Sequence, residues 1–198
     1  MPKAATRQHI IEAADRLFYQ QGFEHTSFAD IAENVGISRG NFYHHFKSKD
    51  DILDAVIAQR LTNTRDMLDQ WEAAEDGPEE RIRRFIQILI VNQTKILRYG
   101  CPVGTLCGEL AKLGHPAQAE ARELFTLFRT WLGYQFTRLV GPDQADELAM
   151  HLLARSQGVA TLANAFHDEF FVDQEVKQLC EWLSTQVAKA NLEHPTVT

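Results

Sequence analysis

Apolar residues recur along the chain at spacings near 3.6, and no sustained period-two alternation rich in β-branched residues interrupts them. That pattern predicts an all-α protein of about nine helices. Ile10, Ala14, Leu17 and Phe18 form one face of a first helix that ends near Gly22. Ser27 heads a short second helix with Asp30 at the capping-box position, and Gly36 breaks it. Ser38 caps a third helix of about two turns, too short to stand without neighbours. Ser48 with Asp51 then caps a long fourth helix running toward Ala74.

The stretch AEDGP at 74–78 is the clearest breaker. Beyond it, helices are predicted over 79–98, 103–113, 117–139, 143–166 and 173–190, with a frayed tail at 194–198. The punctuation between them is Gly100-Cys101-Pro102, Gly114-His115-Pro116 and Gly141-Pro142. The predicted architecture is a three-helix N-terminal domain, residues 1–50, joined by the long fourth helix to a helical bundle over 51–198.

Composition narrows the class. At 198 residues, 44% hydrophobic and 24% charged, the chain reads as an ordinary globular protein. No apolar run approaches the roughly 20 residues that cross a bilayer. No basic-then-apolar leader precedes the first helix, so a cytoplasmic protein with no membrane partner is expected. Cys101, Cys107 and Cys180 cannot all pair within one chain and lack CxxC spacing, which argues against a disulfide scaffold and a zinc site. No metal and no cofactor are expected. The net charge of −7 runs mildly against nucleic acid as a partner, so its distribution matters more than its sum. Residues 1–50 carry six basic and six acidic side chains, which leaves the whole net charge on the remainder. The N-terminal segment is the less acidic part.

The segment SFADIAENVGISRGNFYHHF at 27–46 carries the chemistry. A helix-turn-helix needs a short helix, a turn with glycine near its centre, and a second helix whose start faces outward into the major groove. Ile31, Ala32 and Val35 supply an apolar face, Gly36 permits the left-handed turn, and Ile37 plugs the space behind it. Ser38, Arg39, Gly40 and Asn41 make a polar, open start to the next helix, while Phe42 and Phe46 turn inward. Glycine inside a helix costs about 1 kcal/mol relative to alanine. A packing helix has little reason to carry it, whereas close approach to a DNA backbone gives one.

These residues resemble the signature of the TetR family of one-component regulators. The matching positions are Gly22, Thr26-Ser27, Asp30-Ile31-Ala32, Gly36-Ile37-Ser38-x-Gly40, Tyr43-x-His45-Phe46 and Lys49-x-x-Ile52. Val35 and Ile52 are mild departures, and the signature covers about a quarter of the chain. The resemblance implies base readers at Arg39, Asn41 and His44, each good contact discriminating by roughly 1–3 kcal/mol. It implies phosphate contacts at Thr26, Ser27, Tyr43, His45 and Lys49. His45 equally suits packing against the fourth helix. The partners implied are double-stranded operator DNA, read as an inverted repeat, and a second copy of the chain.

For the C-terminal half the resemblance implies a dimer face on the last two helices and an effector pocket among the middle ones. Leu152, Val159, Leu162 and Phe166 on one helix, and Val176, Leu179 and Leu183 on the next, have suitable spacing. The same stripes equally suit a monomer core. Phe85, Leu89, Phe125, Phe128 and Trp131, with polar anchors Asn92, Gln93 and Gln157, are pocket candidates or plain core. Cys101 stands just before Pro102 at the start of a helix, where the dipole favours a thiolate. GCPVGTL resembles a stretch through which some family members respond to electrophiles or oxidants, with Cys107 as a possible partner. Cys101 also suits a purely structural role.

The expected function is a DNA-binding repressor, not an enzyme, released by a small-molecule effector or by cysteine modification. The competing reading is a helical-bundle enzyme or carrier without DNA binding. It lacks Glu-x-x-His pairs of the di-iron type, a Ser-His-Asp arrangement and a phosphate-binding loop.

Overall fold

The computed structural model describes residues 3–193, apart from the side chains of Lys3, Arg39 and Glu193. The tail at 194–198, expected to fray, lies outside the described residues. Among the described residues ten helices follow one another: α1 (Lys3–Gln21), α2 (Phe28–Val35), α3 (Arg39–Tyr43), α4 (Lys49–Ala73), α5 (Pro78–Val91), α6 (Gln93–Tyr99), α7 (Pro102–Leu113), α8 (Gln118–Val140), α9 (Pro142–Phe166) and α10 (Glu169–Glu193). No strand occurs among the described residues. None of the described helices is long and apolar enough to cross a membrane.

The punctuation acts as its chemistry requires. Ser27 and Asp30 form a reciprocal capping box at the start of α2. Gly36 ends that helix in the left-handed region at φ 72°, its N–H returning to the last turn. At the start of α4, Ser48 Oγ accepts from the Asp51 N–H while Asp51 Oδ2 accepts from the N–H groups of Lys47 and Ser48. Pro78 and Pro142 each sit in the first turn of their helix, where a missing N–H costs nothing.

The helix foreseen over 79–98 is interrupted at Asn92, which raises the count from nine to ten. The Asn92 side-chain amide donates to the Ile88 carbonyl at 3.1 Å, alongside the residue's own backbone N–H at 3.0 Å. An asparagine that bonds to the preceding turn in this way locally competes with the helix ladder.

The chain forms two compact units. The first comprises the described residues up to Thr64 together with Pro102–Leu124; the second comprises Arg65–Cys101 and the described residues from Phe125 onward. In the first unit Ile10, Phe18, Phe23, Ile31, Phe42, Phe46, Ile52, Val56, Leu106 and Leu110 are all buried. Helix α7, which no local sequence signal assigns to the N-terminal helices, packs with α1.

In the second unit the core runs through α5, α6, α8, α9 and α10. Four side chains expected at a dimer face belong to it instead: Leu152, Val159, Leu179 and Leu183 are buried within the single chain. Phe85 and Leu89, expected to line a pocket, are likewise core residues. The physical reason is shared: the most apolar side of each helix packs on its own neighbours. Leu162 and Phe166 are exposed, and Val176 is half-buried against the core.

A polar cluster is embedded in this unit. Arg81, buried on the apolar face of α5, donates to Glu72 Oε1 at 2.6 Å and to the backbone carbonyls of Glu72 and Ala74. Glu72 also accepts from Gln135 on Oε2 at 2.8 Å and from Arg138 at 3.2 Å. One guanidinium thus satisfies carbonyls that the end of α4 leaves open. At the C-terminal end of α9, His167 takes φ 52°, rare for a residue other than glycine. Its Nδ1 lies 3.0 Å from the Leu97 carbonyl, which also accepts from Asn164.

Because Leu152 is fully buried, Leu152→Ala should lower the unfolding free energy by about 2–5 kcal/mol. Urea denaturation checks it; a loss confined to self-association, with the fold equally stable, would contradict the assignment.

Candidate nucleic-acid interface

Helices α2 and α3 meet through aromatic packing. The Phe28 ring stands 5.1 Å from Phe42, edge to face, and 5.6 Å from Tyr43. Phe42 is buried, so the five-residue α3 is anchored by one ring and carries its polar side outward. Ser38 Oγ accepts from the Asn41 N–H at 3.3 Å and so caps the short helix. A shallow cleft of about 300 Å³ lies between the two helices, lined by Ser27, Phe28, Ala29, Ala32, Phe42 and Tyr43. A broader depression of about 530 Å³ includes Gln21, His25, Asp30, Glu33 and Asn34. Its lining includes two carboxylates, which repel phosphate.

The residues expected to read bases share one exposed surface in part. Gly40, Asn41 and His44 are exposed, and a Cβ added at Gly40 would meet nothing within 4 Å. The Arg39 side chain lies outside what the structure describes. Tyr43 is about half exposed, Ser27 and Ser38 are exposed, and His45 is half-buried. Both serine hydroxyls already cap helices, since Ser27 Oγ accepts from the Asp30 N–H at 3.2 Å. An accepting hydroxyl retains its own proton for a phosphate.

Two expected phosphate contacts are corrected. Thr26 is buried, with 1% of its surface exposed, and its hydroxyl donates to the Gly22 carbonyl at 2.7 Å. It closes the turn between α1 and α2 from inside. Lys49 directs its ammonium inward, donating to the carbonyls of Phe23 at 3.0 Å and Glu24 at 3.3 Å. The same nitrogen sits 4.2 Å above the Phe23 ring. Lys47, two residues earlier, is exposed and donates to the Tyr43 carbonyl at 2.8 Å.

The first unit also contains residues that local patterns did not mark. Glu109 of α7 accepts from the N–H groups of Phe23 and Glu24, both at 2.9 Å. Arg60 of α4 joins Asp15 of α1 at 2.6 Å and donates to the Pro102 carbonyl at 2.7 Å. His115 lies edge-on to Phe23 at 5.2 Å, its Nε2 3.5 Å from Asp50. These partners are separated by 42 to 92 residues, a distance no helix-period pattern spans.

In the second unit the pocket candidates divide. Phe125, Phe128 and Trp131 are half-buried against the core, with Trp131 5.6 Å from Trp71. Asn92 spends its amide on Ile88, and Gln93 donates to the Glu169 carbonyl at 2.9 Å. Gln157 is half-buried, and its backbone carbonyl accepts from the Thr161 hydroxyl. Two unforeseen atoms stand out one helical turn apart on α8. Trp131 Nε1 and Gln135 Oε1 are buried, and neither has a hydrogen-bond partner among the described residues. A charged or amide residue on an apolar stripe, as at Arg81 and Gln135, is the signal that marks such positions in a sequence. Cys101 directly precedes α7 and is half-buried against the core, and Cys107 Sγ on α7 lies 3.4 Å from the Ala121 carbonyl.

Comparison with known proteins supplies the remaining context. A family model described as bacterial regulatory proteins, tetR family, matches residues 10–56. An uncharacterised HTH-type transcriptional regulator of Lactococcus lactis is 26% identical over 82% of this chain and 85% of its own length. The HTH-type transcriptional repressor DhaR of a Mycobacterium species is 25% identical over 67% of this chain; the match spans 64% of DhaR. Among solved structures, a TetR-family transcriptional regulator from Agrobacterium tumefaciens superposes with a TM-score of 0.79, covering 91% of this chain and 98% of that one at 23% identity. That last likeness is one of fold.

The two capping carboxylates give the helix-turn-helix an acid sensitivity. The Ser27 N–H, and then its hydroxyl, hold the Asp30 carboxyl below the ordinary carboxylate range. The Lys47 N–H, and then the Ser48 hydroxyl, do the same for Asp51. A group depressed in the folded state stabilises above its unfolded value, about 4, and loses that contribution as pH falls through the folded value. Thermal melting followed downward from pH 5 should therefore decline less steeply in the Asp30→Asn, Asp51→Asn double variant than in the wild type. Parallel declines would refute the assignment.

Proposed function

Because this chain belongs to the TetR family of bacterial regulatory proteins, we propose that it is a DNA-binding transcriptional repressor. It acts as a homodimer on an inverted-repeat operator and is released by a small-molecule effector. The observation that carries the reading is the start of α3, where Gly40 and Asn41 face solvent with no side chain crowding the glycine. A helix that packed there would benefit from a larger residue; a helix that meets a sugar–phosphate backbone would not. Asn41 and His44 read base edges, joined by Arg39, while Ser27, Tyr43 and His45 hold phosphates. The choice of repression over activation follows the named activity of DhaR.

The second copy covers the exposed apolar side chains Leu162 and Phe166 of α9 and Phe170 of α10. Two recognition helices related by that axis then address half-sites about 34–36 Å apart. The effector binds in the second unit against Phe125, Phe128 and Trp131. There the unpartnered Trp131 N–H and Gln135 carbonyl offer a donor and an acceptor to a small polar aromatic molecule. To release the operator it must bind the released state better than the DNA-bound one. Modification of Cys101 or Cys107 is a second route, favoured by the place of Cys107 on α7.

The decisive experiment selects duplexes from a randomised library with the purified chain and measures their binding as salt is raised. Enrichment of an inverted repeat, with affinity falling steeply in salt, is expected; enrichment of nothing contradicts the reading. Gly40→Ala should raise stability by up to about 1 kcal/mol, since the added methyl meets nothing, while weakening the selected duplex. Equal or tighter binding by that variant would remove the reason given for the glycine. Trp131→Phe keeps the ring beside Trp71 and removes a donor that bonds to nothing, so stability should change by less than about 1 kcal/mol. Small aromatic compounds that raise the melting temperature of the wild type should lose that effect in this variant, and a larger loss of stability would show the N–H to be structurally engaged.

A further inference from the structure

The turn from α1 to α2 is held at both poles of its peptide groups. Glu109 places one carboxylate oxygen on each of two consecutive backbone donors, Oε2 on Phe23 and Oε1 on Glu24, at 2.9 Å. Lys49 places its ammonium on the two carbonyls of the same residues. Gly22 leaves room for this, since at φ 91° a Cβ there would stand 2.9 Å from Glu109 Oε1. Thr26 closes the turn onto the Gly22 carbonyl, and the next residue is Ser27, the cap of α2. The point from which α2 starts is therefore set by a carboxylate on α7, and α3 follows α2 through the tight Gly36 turn.

Helix α7 is secured to the same unit at its other end. Arg60 reaches the Pro102 carbonyl while its Nε pairs with Asp15 of α1. Of these two polar ties of α7, the one through Glu109 bears directly on the turn that precedes α2 and the recognition helix. Charge-assisted bonds to backbone donors are short and directional, so they define position more tightly than apolar contact does.

We infer that Glu109 is a positioning residue for DNA recognition: its carboxylate fixes the Phe23–Glu24 turn and so aims α2 and α3. The inference rests on the DNA-binding reading above. Glu109 itself touches no DNA. Its loss should therefore lower the preference for the selected duplex over a scrambled duplex of equal length, and leave the affinity for the scrambled one unchanged.

The test uses the full chain and the duplex that the wild type enriches from a randomised library, with fluorescence anisotropy against both duplexes. Glu109→Gln keeps size and one acceptor but opposes an amide donor to one of the two N–H groups. It should reduce the specific-to-scrambled affinity ratio at least about tenfold. The backbone amide signals of Phe23 and Glu24 should move in a 15N correlation spectrum, and their exchange should accelerate. Should that variant fold poorly, Glu109→Asp keeps the charge, shortens the reach by one methylene and should lower the ratio in the same direction by a smaller factor. A folded variant of either kind with the wild-type ratio overturns the inference. So does a fall in both affinities together at an unchanged ratio, the mark of a merely structural residue. A wild-type chain that enriches no duplex fails before any variant is made, which identifies the DNA-binding reading as the part at fault and removes this inference with it.

Discussion

A helix of five residues cannot stabilise itself. It closes almost none of its own hydrogen bonds, and nucleation alone is unfavourable. Helix α3 exists because Phe42 is buried beneath it, Phe28 packs edge-on to that ring, and the Ser38 hydroxyl takes up one of its open N–H groups. The rest of the first unit can be understood as the support this arrangement needs. Ile31 and Phe46 are buried in the same unit, and α2 packs against both α1 and α3. The outward side of α3 is thereby left without any packing duty, which is what allows it to carry small and polar residues.

Polar side chains do much of the joining between helices, and they act on backbone groups as often as on each other. Lys49, Glu109, Arg60 and Arg81 each reach main-chain atoms that a turn or a helix end leaves open. Helix termini expose four donors or four acceptors apiece, and water cannot serve those that are covered. A single arginine or carboxylate meets two or three of them from a fixed direction. Such ties give position rather than bulk stability, and they are concentrated around the α1–α2 turn and the end of α4.

Much of this was legible in the sequence because it is local. The Ser27–Asp30 and Ser48–Asp51 boxes, the Gly36 turn and the proline starts are written within four residues of one another, and each helix they bound is found within a few residues of its expected place. The division of α5 from α6 was missed because an asparagine in a helix is unremarkable until its amide is seen on the preceding turn. Leu152 and Leu179 misled for a different reason: an apolar stripe states that a surface is covered, not by which chain. Thr26 and Lys49 misled because a hydroxyl and an ammonium beside a DNA-reading motif suit phosphates equally well on paper, and only the fold reveals the nearer oxygen atoms. Glu109 had no local signature at all, since its partners are some 85 residues distant.

The buried arginine of α5 has a mechanical corollary. Its guanidinium holds the Glu72 carbonyl and carboxylate at the end of α4 and the Ala74 carbonyl just beyond it, in surroundings with little water. Were the last turn of α4 to slide lengthwise past α5, all three acceptors would leave together and strand a cation, an outcome far costlier than losing an exposed pair. The last turn of α4 is thus keyed to α5 in one register, and lengthwise slippage between the two helices is barred by the cation it would leave behind.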